Sequence, residues 1–170
     1  MKYVKIHSNY TLENEHIFIT GYPCSGKTKV AKDIAKLLNM DAIHLDTVPG
    51  MDKTKNTTNF TKRIVKNLDT PSVVEGVQLM DFDVSYFKNK QFYVLKVPHK
   101  TLVNRIIKRG FQDTPSGPII NIKRKDNIDR AISFLNQFKD AYKNITRSVK
   151  PISQKSLLTN IYINNPNKEE

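Results

Sequence analysis

The residues of this chain best suited to chemistry are a lysine and a threonine set behind two glycines. In "GYPCSGKT", Gly21 and Gly26 bracket Tyr22, Pro23, Cys24 and Ser25 and lead into Lys27 and Thr28. The whole chain holds only six glycines, so two in so short a stretch must answer a local need. Glycine allows backbone angles and close approach that a side chain would block, so consecutive amides can converge on an anion. A helix opening directly afterwards adds its unpaired N–H groups and the positive end of its dipole. Lys27 then offers charge to the outer phosphates of a nucleotide, and Thr28 offers a hydroxyl to magnesium. Cys24, the single cysteine, reads as a small filler of the tight turn, with a redox role as the alternative.

Two carboxylates and four arginines add to this. Asp46 follows the apolar run "AIHL", and Glu75 closes "PSVVE". Both fall at carboxyl ends of expected strands, where an open parallel sheet has its ligand crevice. Asp46 is placed to take or orient the proton of an acceptor hydroxyl, and Glu75 to hold a magnesium-bound water. The competing readings are a turn cap for Asp46 and a solvent-facing strand exit for Glu75. His44, alternating between Ile43 and Leu45, reads as structural. Of six arginines, four lie between 105 and 130: Arg105, Arg109, Arg124 and Arg130. They flank a loop with Pro115, Gly117 and Pro118, so 112–123 reads as a lid that closes guanidinium groups over phosphates.

The elements that must hold these groups follow from periodicity. "YVKIH" (3–7) reads as an extra N-terminal edge strand, and "IFIT" as the first core strand. Val30, Ile34, Leu37 and Leu38 make one helical face over 27–38. "AIHL" (42–45), "PSVVEG" (71–76) and "QFYVLKV" (91–97) read as strands, and "NIYIN" (160–164) as a late fifth one. "FTKRIVKNL", "KTLVNRIIKR" and "DNIDRAISFLNQFKDAYKNI" read as helices, the last carrying Ile128, Ile132, Leu135 and Phe138 on one side. Strands spaced by helices predict a parallel sheet covered on both faces. The whole chain, 1–170, reads as one domain, with 47–70 as a short acceptor-binding region.

Composition bounds the partners. The 28 basic and 16 acidic residues give a net charge of +12, which suits nucleic acid, phosphorylated small molecules or merely a solvated lysine-rich surface. No long apolar run suggests a membrane span, the polar start is unlike a signal peptide, and the lone cysteine excludes an internal disulfide, so a cytoplasmic setting is expected.

The chain resembles the P-loop kinase superfamily, in particular its small adenylate kinase-like and topology-modulation-protein-like members. "GYPCSGKT" is similar to the Walker A loop, "AIHLDTV" to a hydrophobic-His-Leu-Asp segment, and "VVEG" to a third-strand ending in Asp-Gly or Glu-Gly. "RIIKR" and "RKDN" resemble the family's lid entrance and lid exit. The resemblance covers about residues 17–166. It implies a three-layer α/β/α P-loop NTPase fold with a parallel five-stranded sheet, ATP and magnesium as cofactors, and Arg105 stacked on the adenine. It also implies that Arg109 and Arg124 contact the transferring phosphates, that Arg130 serves similarly, and that the loop Asn164-Asn165-Pro166 lies beside the base.

Two departures bear on the acceptor. Nucleoside monophosphate kinases resemble one another in carrying an arginine soon after the second strand and another after the third. Here "DTVPGMDKTK" and "EGVQL" hold none. Lysine cannot supply the bidentate fork that grips a bare phosphate, although Lys53, Lys55 and Arg63 could still recruit an anion. The expected activity is therefore ATP-dependent phosphoryl transfer to a hydroxyl, on a small metabolite or a nucleoside or nucleotide. A polynucleotide 5′-hydroxyl kinase is the rival enzyme. A nucleotide-binding switch or accessory protein is the reading from outside enzymology. Lys27, Asp46, Arg109 and Arg124 are the expected catalytic set.

Overall fold

In the computed structural model the chain is described over residues 12–109 and 124–165. The expected edge strand at 3–7 and the expected lid at 112–123 lie outside the described residues. Four short parallel strands form one sheet: β1 (Ile17–Thr20), β2 (Asp41–His44), β3 (Ser72–Glu75) and β4 (Gln91–Val94), in the order β2-β3-β1-β4. β1 and β3, the central pair, are buried at every position, as a sheet covered on both faces demands.

Alternate side chains of the sheet feed two cores. On one face Ile17, Ile19 and Val73 pack with Val30, Ile34 and Leu38 of α1 (Lys27–Leu38) and with Leu157 and Ile161 of α6 (Gln154–Asn164). On the other, Phe18 and Val74 meet Val65 of α2 (Thr57–Lys66) and the aromatic pair Phe82 and Phe87. Phe87 stacks flat on Phe92 of β4 at a centroid distance of 3.7 Å. α3 (His99–Arg109) packs through Leu102 and Ile106 against Ala131 and Leu135 of α4 (Arg124–Asn136). α5 (Lys139–Thr146) places Ile145 beside Met80 and Val94.

The termini of these helices explain where they begin. Asn56 Oδ1 accepts from Asn59 N to start α2, and Ser153 Oγ accepts from Ser156 N to start α6. α1 differs: Gly26 precedes it in the left-handed region (φ 89°) and no side chain caps it. Its first amides remain open to a ligand.

The structure corrects three expectations. Residues 160–164 are not a strand but the last turns of α6, because Leu157 and Ile161, four apart, bury against α1 while Tyr162 and Ile163 face solvent. The sheet accordingly has four strands among the described residues rather than five. The fifth parallel position survives as a single bridge, Leu95 to Ile152, in which Ile152 N donates to Val94 O (2.9 Å) and Lys96 N donates to Ile152 O (2.9 Å). Third, the expected helix over 126–145 is two helices. At the break Phe138 N donates to Leu135 O, and the chain redirects so that Ile145 reaches β4. Ala131 and Leu135 form the buried stripe of α4, whereas Ile128 and Ile132 lie outside it at 37% and 36% exposure.

Candidate active site

The loop between β1 and α1 is held in the shape that its glycines permit. Gly21 (φ 151°), Cys24 (φ 63°) and Gly26 (φ 89°) all have positive φ. A Cβ on Gly21 would come within 3.3 Å of both Leu95 Cβ and the Leu95 carbonyl, and its φ is one that side-chain-bearing residues rarely adopt, so a substitution there is strained. Tyr22 leans on Tyr142 of α5 with ring centroids 4.5 Å apart, fixing the outer wall of the loop. Ser25 is 1% exposed, and its Oγ has no hydrogen-bond partner among the described residues. Lys27 Nζ donates to Tyr22 O across the loop (2.8 Å). Burial pushes the Lys27 ammonium below the ordinary lysine range, while the charges of Glu75, Asp46 and Cys24 oppose the shift and Arg109 adds to it. A buried ammonium whose one bond among the described residues is to a loop carbonyl, beside a buried hydroxyl with no partner among them and the first amides of α1, is the donor set an oligophosphate would satisfy.

Glu75 ends β3 directly beside this loop. Its Oε1 accepts from Thr28 Oγ1 (2.8 Å) and is 2.9 Å from His44 Nδ1. A hydroxyl and a carboxylate, both hard oxygen donors, thus meet at the first turn of α1, and they fit a magnesium ion. Asp46 lies in the short 3-10 turn Leu45–Thr47 that leaves β2, exposed, with Oδ1 accepting from Gln78 Nε2 (2.6 Å). Gln78 comes from the corresponding 3-10 turn that leaves β3. Gly76 makes room for it, since a Cβ there would lie 2.9 Å from Leu45 Cβ and would collide with the Gln78 amide.

The arginines divide. Arg105 Nη1 donates to Cys24 O (3.0 Å), and Arg109 Nη1 is 3.4 Å from Cys24 Sγ, so both close on the phosphate loop from α3. Arg130 lies exposed on α4, and Arg124 begins that helix. Asn165 caps α6, its Nδ2 donating to Ile161 O (2.9 Å). The strand expected to lead into it is absent. A cleft of about 460 Å³ instead runs between Arg105, Lys29, Ser153 and Gln154. Gln154 Oε1 would lie 3.1 Å from a Cβ on Gly26, so the start of α6, not its end, borders the phosphate loop.

Sequence reasoning reads His44 as structural and does not single out Gln78 or Gln154. Gln78 carried a signal, since it stands in the stretch after the third strand where the related kinases have an arginine. His44 and Gln154 carried none that periodicity could separate from packing.

An open parallel sheet with its first strand feeding a glycine-bounded phosphate loop defines a P-loop nucleotide-binding fold of the kind small kinases use. The chain belongs to the AAA domain family, whose model matches residues 17–132. No curated protein matches the chain. Among solved structures it is similar to the shikimate kinase of Bacteroides thetaiotaomicron, at 17% identity and TM-score 0.55, covering 89% of this chain and 98% of that one. It is also similar to the shikimate kinase of Aquifex aeolicus, at 13% identity and TM-score 0.52, covering 87% and 94%. A third, an uncharacterized protein from Eubacterium ventriosum, stands at 14% identity and TM-score 0.51, covering 88% and 97%. These likenesses establish the fold.

Proposed function

We propose that the protein is a kinase that moves the γ-phosphoryl of ATP to a hydroxyl on a small metabolite or nucleoside. The observation that carries this reading is the common edge shared by Lys27, Glu75 and Asp46. The phosphate loop, a magnesium-side carboxylate and a second, exposed carboxylate all leave the same ends of β1, β3 and β2. A nucleotide switch needs the first two and has no use for the third.

In this reading the amides around Gly26 and the Lys27 ammonium bind the β- and γ-phosphates, displacing Lys27 from Tyr22 O. Thr28 Oγ1 and the Glu75 carboxylate would hold magnesium, Glu75 through a water, and the ion would neutralise charge on the phosphates. Asp46, oriented by Gln78, accepts the proton of the attacking hydroxyl. Arg109 and Arg124 stabilise charge spread over the transferring group, and Arg130, on the same helix as Arg124, serves similarly. Arg105 and the cleft beside Ser153 and Gln154 take the base. A neutral acceptor end is favoured because no arginine stands beside Asp46 in the turns after β2 and β3. That two similar folds belong to shikimate kinases supports a small acceptor.

The test is transfer from γ-labelled ATP to a panel of polyols, shikimate, gluconate, nucleosides and 5′-hydroxyl oligonucleotides. Labelling of one small acceptor, abolished by Asp46→Asn, is the expected result. Labelling of oligonucleotides alone would make the protein a polynucleotide kinase. ATP binding with no transfer to any acceptor would leave the switch reading standing. Lys27→Ala is expected to lower the transfer rate by a factor on the order of 10²–10³ while thermal unfolding stays cooperative.

A further inference from the structure

We propose that His44 is a positioning residue for the metal side of the site, holding the Glu75 carboxylate in the one orientation that leaves an oxygen free for a divalent cation or its water. The proposal rests on the reading of Glu75 given above and extends it to a residue whose sequence context reads as structural.

The geometry begins with strand register. His44 and Glu75 are direct partners in the β2–β3 ladder, so their side chains leave the same face of the sheet, the face that α1 covers. Glu75 is 5% exposed. A carboxylate so buried needs either a paired cation or strong hydrogen bonds. Among the described residues no lysine or arginine forms an ion pair with it; His44 Nδ1, at 2.9 Å, is its partner in that role. Lys27 acts on it only at longer range, its own Nζ being committed to Tyr22 O.

Both short contacts fall on one oxygen. Thr28 Oγ1 donates to Oε1 at 2.8 Å, and His44 Nδ1 lies 2.9 Å from the same atom. A carboxylate in its ionised form only accepts, and against that form the imidazole donates through Nδ1–H. Two donors fixed from different elements, α1 and β2, lock the carboxylate's rotation. The printed contacts both fall on Oε1, and among the described residues none is made by Oε2. A buried carboxylate with one oxygen doubly held and, among the described residues, no hydrogen bond on the other and no lysine or arginine in contact is completed by an added positive charge. His44 is also two residues before Asp46, so the tie fixes both strand exits: His44 to Glu75, and Asp46 to Gln78.

The experiment compares ATP affinity by calorimetry with magnesium present and in excess EDTA, for the wild type, His44→Ala and His44→Asn. The ratio of the two affinities reads the metal site, and the EDTA arm reads the phosphate loop and the fold. In His44→Ala the ratio is expected to fall about tenfold, the usual cost of losing a partner that orients a metal-binding carboxylate, with the EDTA affinity little changed. Asparagine places an amide N–H near the position of Nδ1–H and should restore most of the ratio. Mn²⁺ bound in the ADP complex, read by electron paramagnetic resonance, should weaken in parallel. If His44→Ala does not fold, the donor-free ring of His44→Phe takes its place. An unchanged ratio in the alanine variant, or an asparagine variant as impaired as alanine, overturns the proposal. A wild type that binds ATP equally in both buffers overturns the Glu75 assignment with it. A wild type that binds no ATP in either buffer removes the kinase reading itself, which is a different result.

Discussion

Asp46 and Gln78 meet across two strand exits, and the consequence is chemical. An exposed carboxylate has freedom to rotate; one held by an amide at 2.6 Å presents its second oxygen in a fixed direction. Asp46→Asn is expected to lower turnover at least a hundredfold while leaving ATP affinity within about twofold, because the proposed function has the group act on the acceptor. Gln78→Leu keeps the carboxylate and removes its tether, so a smaller fall, roughly tenfold in turnover, should appear in the same steady-state assay. Gly76→Ala should cost about 1–3 kcal/mol of stability in urea unfolding, since the added methyl meets Leu45 and the Gln78 amide. Cys24 gives a separate check. It sits inside the phosphate loop with Arg105 and Arg109 against it, so bound MgATP should slow its alkylation by iodoacetamide, and equal rates would place the nucleotide elsewhere.

At the level of elements, the phosphate loop and α1 were legible because chemistry and periodicity agree there. The spacing of Gly21, Gly26, Lys27 and Thr28 names the turn, and the helical face of Val30, Ile34 and Leu38 is the face that the structure buries. The end of the chain was not legible in this way. "NIYIN" alternates like a strand and is also compatible with a helix, since Leu157 and Ile161 are four apart. Local sequence does not decide between those periods; the apolar surface of α1 that receives both side chains does. That element carries a prediction. Leu157→Ala should destabilise the protein by about 2–5 kcal/mol, and, because α6 also carries Gln154 to the phosphate loop, it should weaken ATP binding as well. The break between α4 and α5 is a similar case, visible only once Ile145 has a site beside Met80 and Val94.

Over the whole molecule, charge and burial set the conditions under which the fold holds. No helix among the described residues is long and apolar enough to cross a membrane. His16, fully buried just before β1, accepts from Ser72 N through Nδ1 (3.0 Å), while its Nε2 has no partner among the described residues. Burial lowers its pKa from the ordinary 6.5, outweighing the opposing charge of Glu13. The unfolded chain therefore binds a proton that the folded chain refuses, and stability must fall as pH drops below about 6.5, levelling off beneath the folded value. Urea midpoints at pH 8 and pH 5.5 should differ, and His16→Phe, although less stable overall, should narrow the difference. The same buried contact joins the starts of β1 and β3, which no single stretch of sequence could announce. What the sequence determined alone was local: a glycine turn able to wrap an anion, a lysine and threonine to meet it, and strands short and apolar enough to be central in a sheet. Which groups touch was settled only by the order β2-β3-β1-β4, which lays β2 beside β3 and so brings His44 to Glu75 and Asp46 to Gln78. Hydrogen bonds reach about 3 Å, and only the packed chain closes such a gap between residues thirty positions apart.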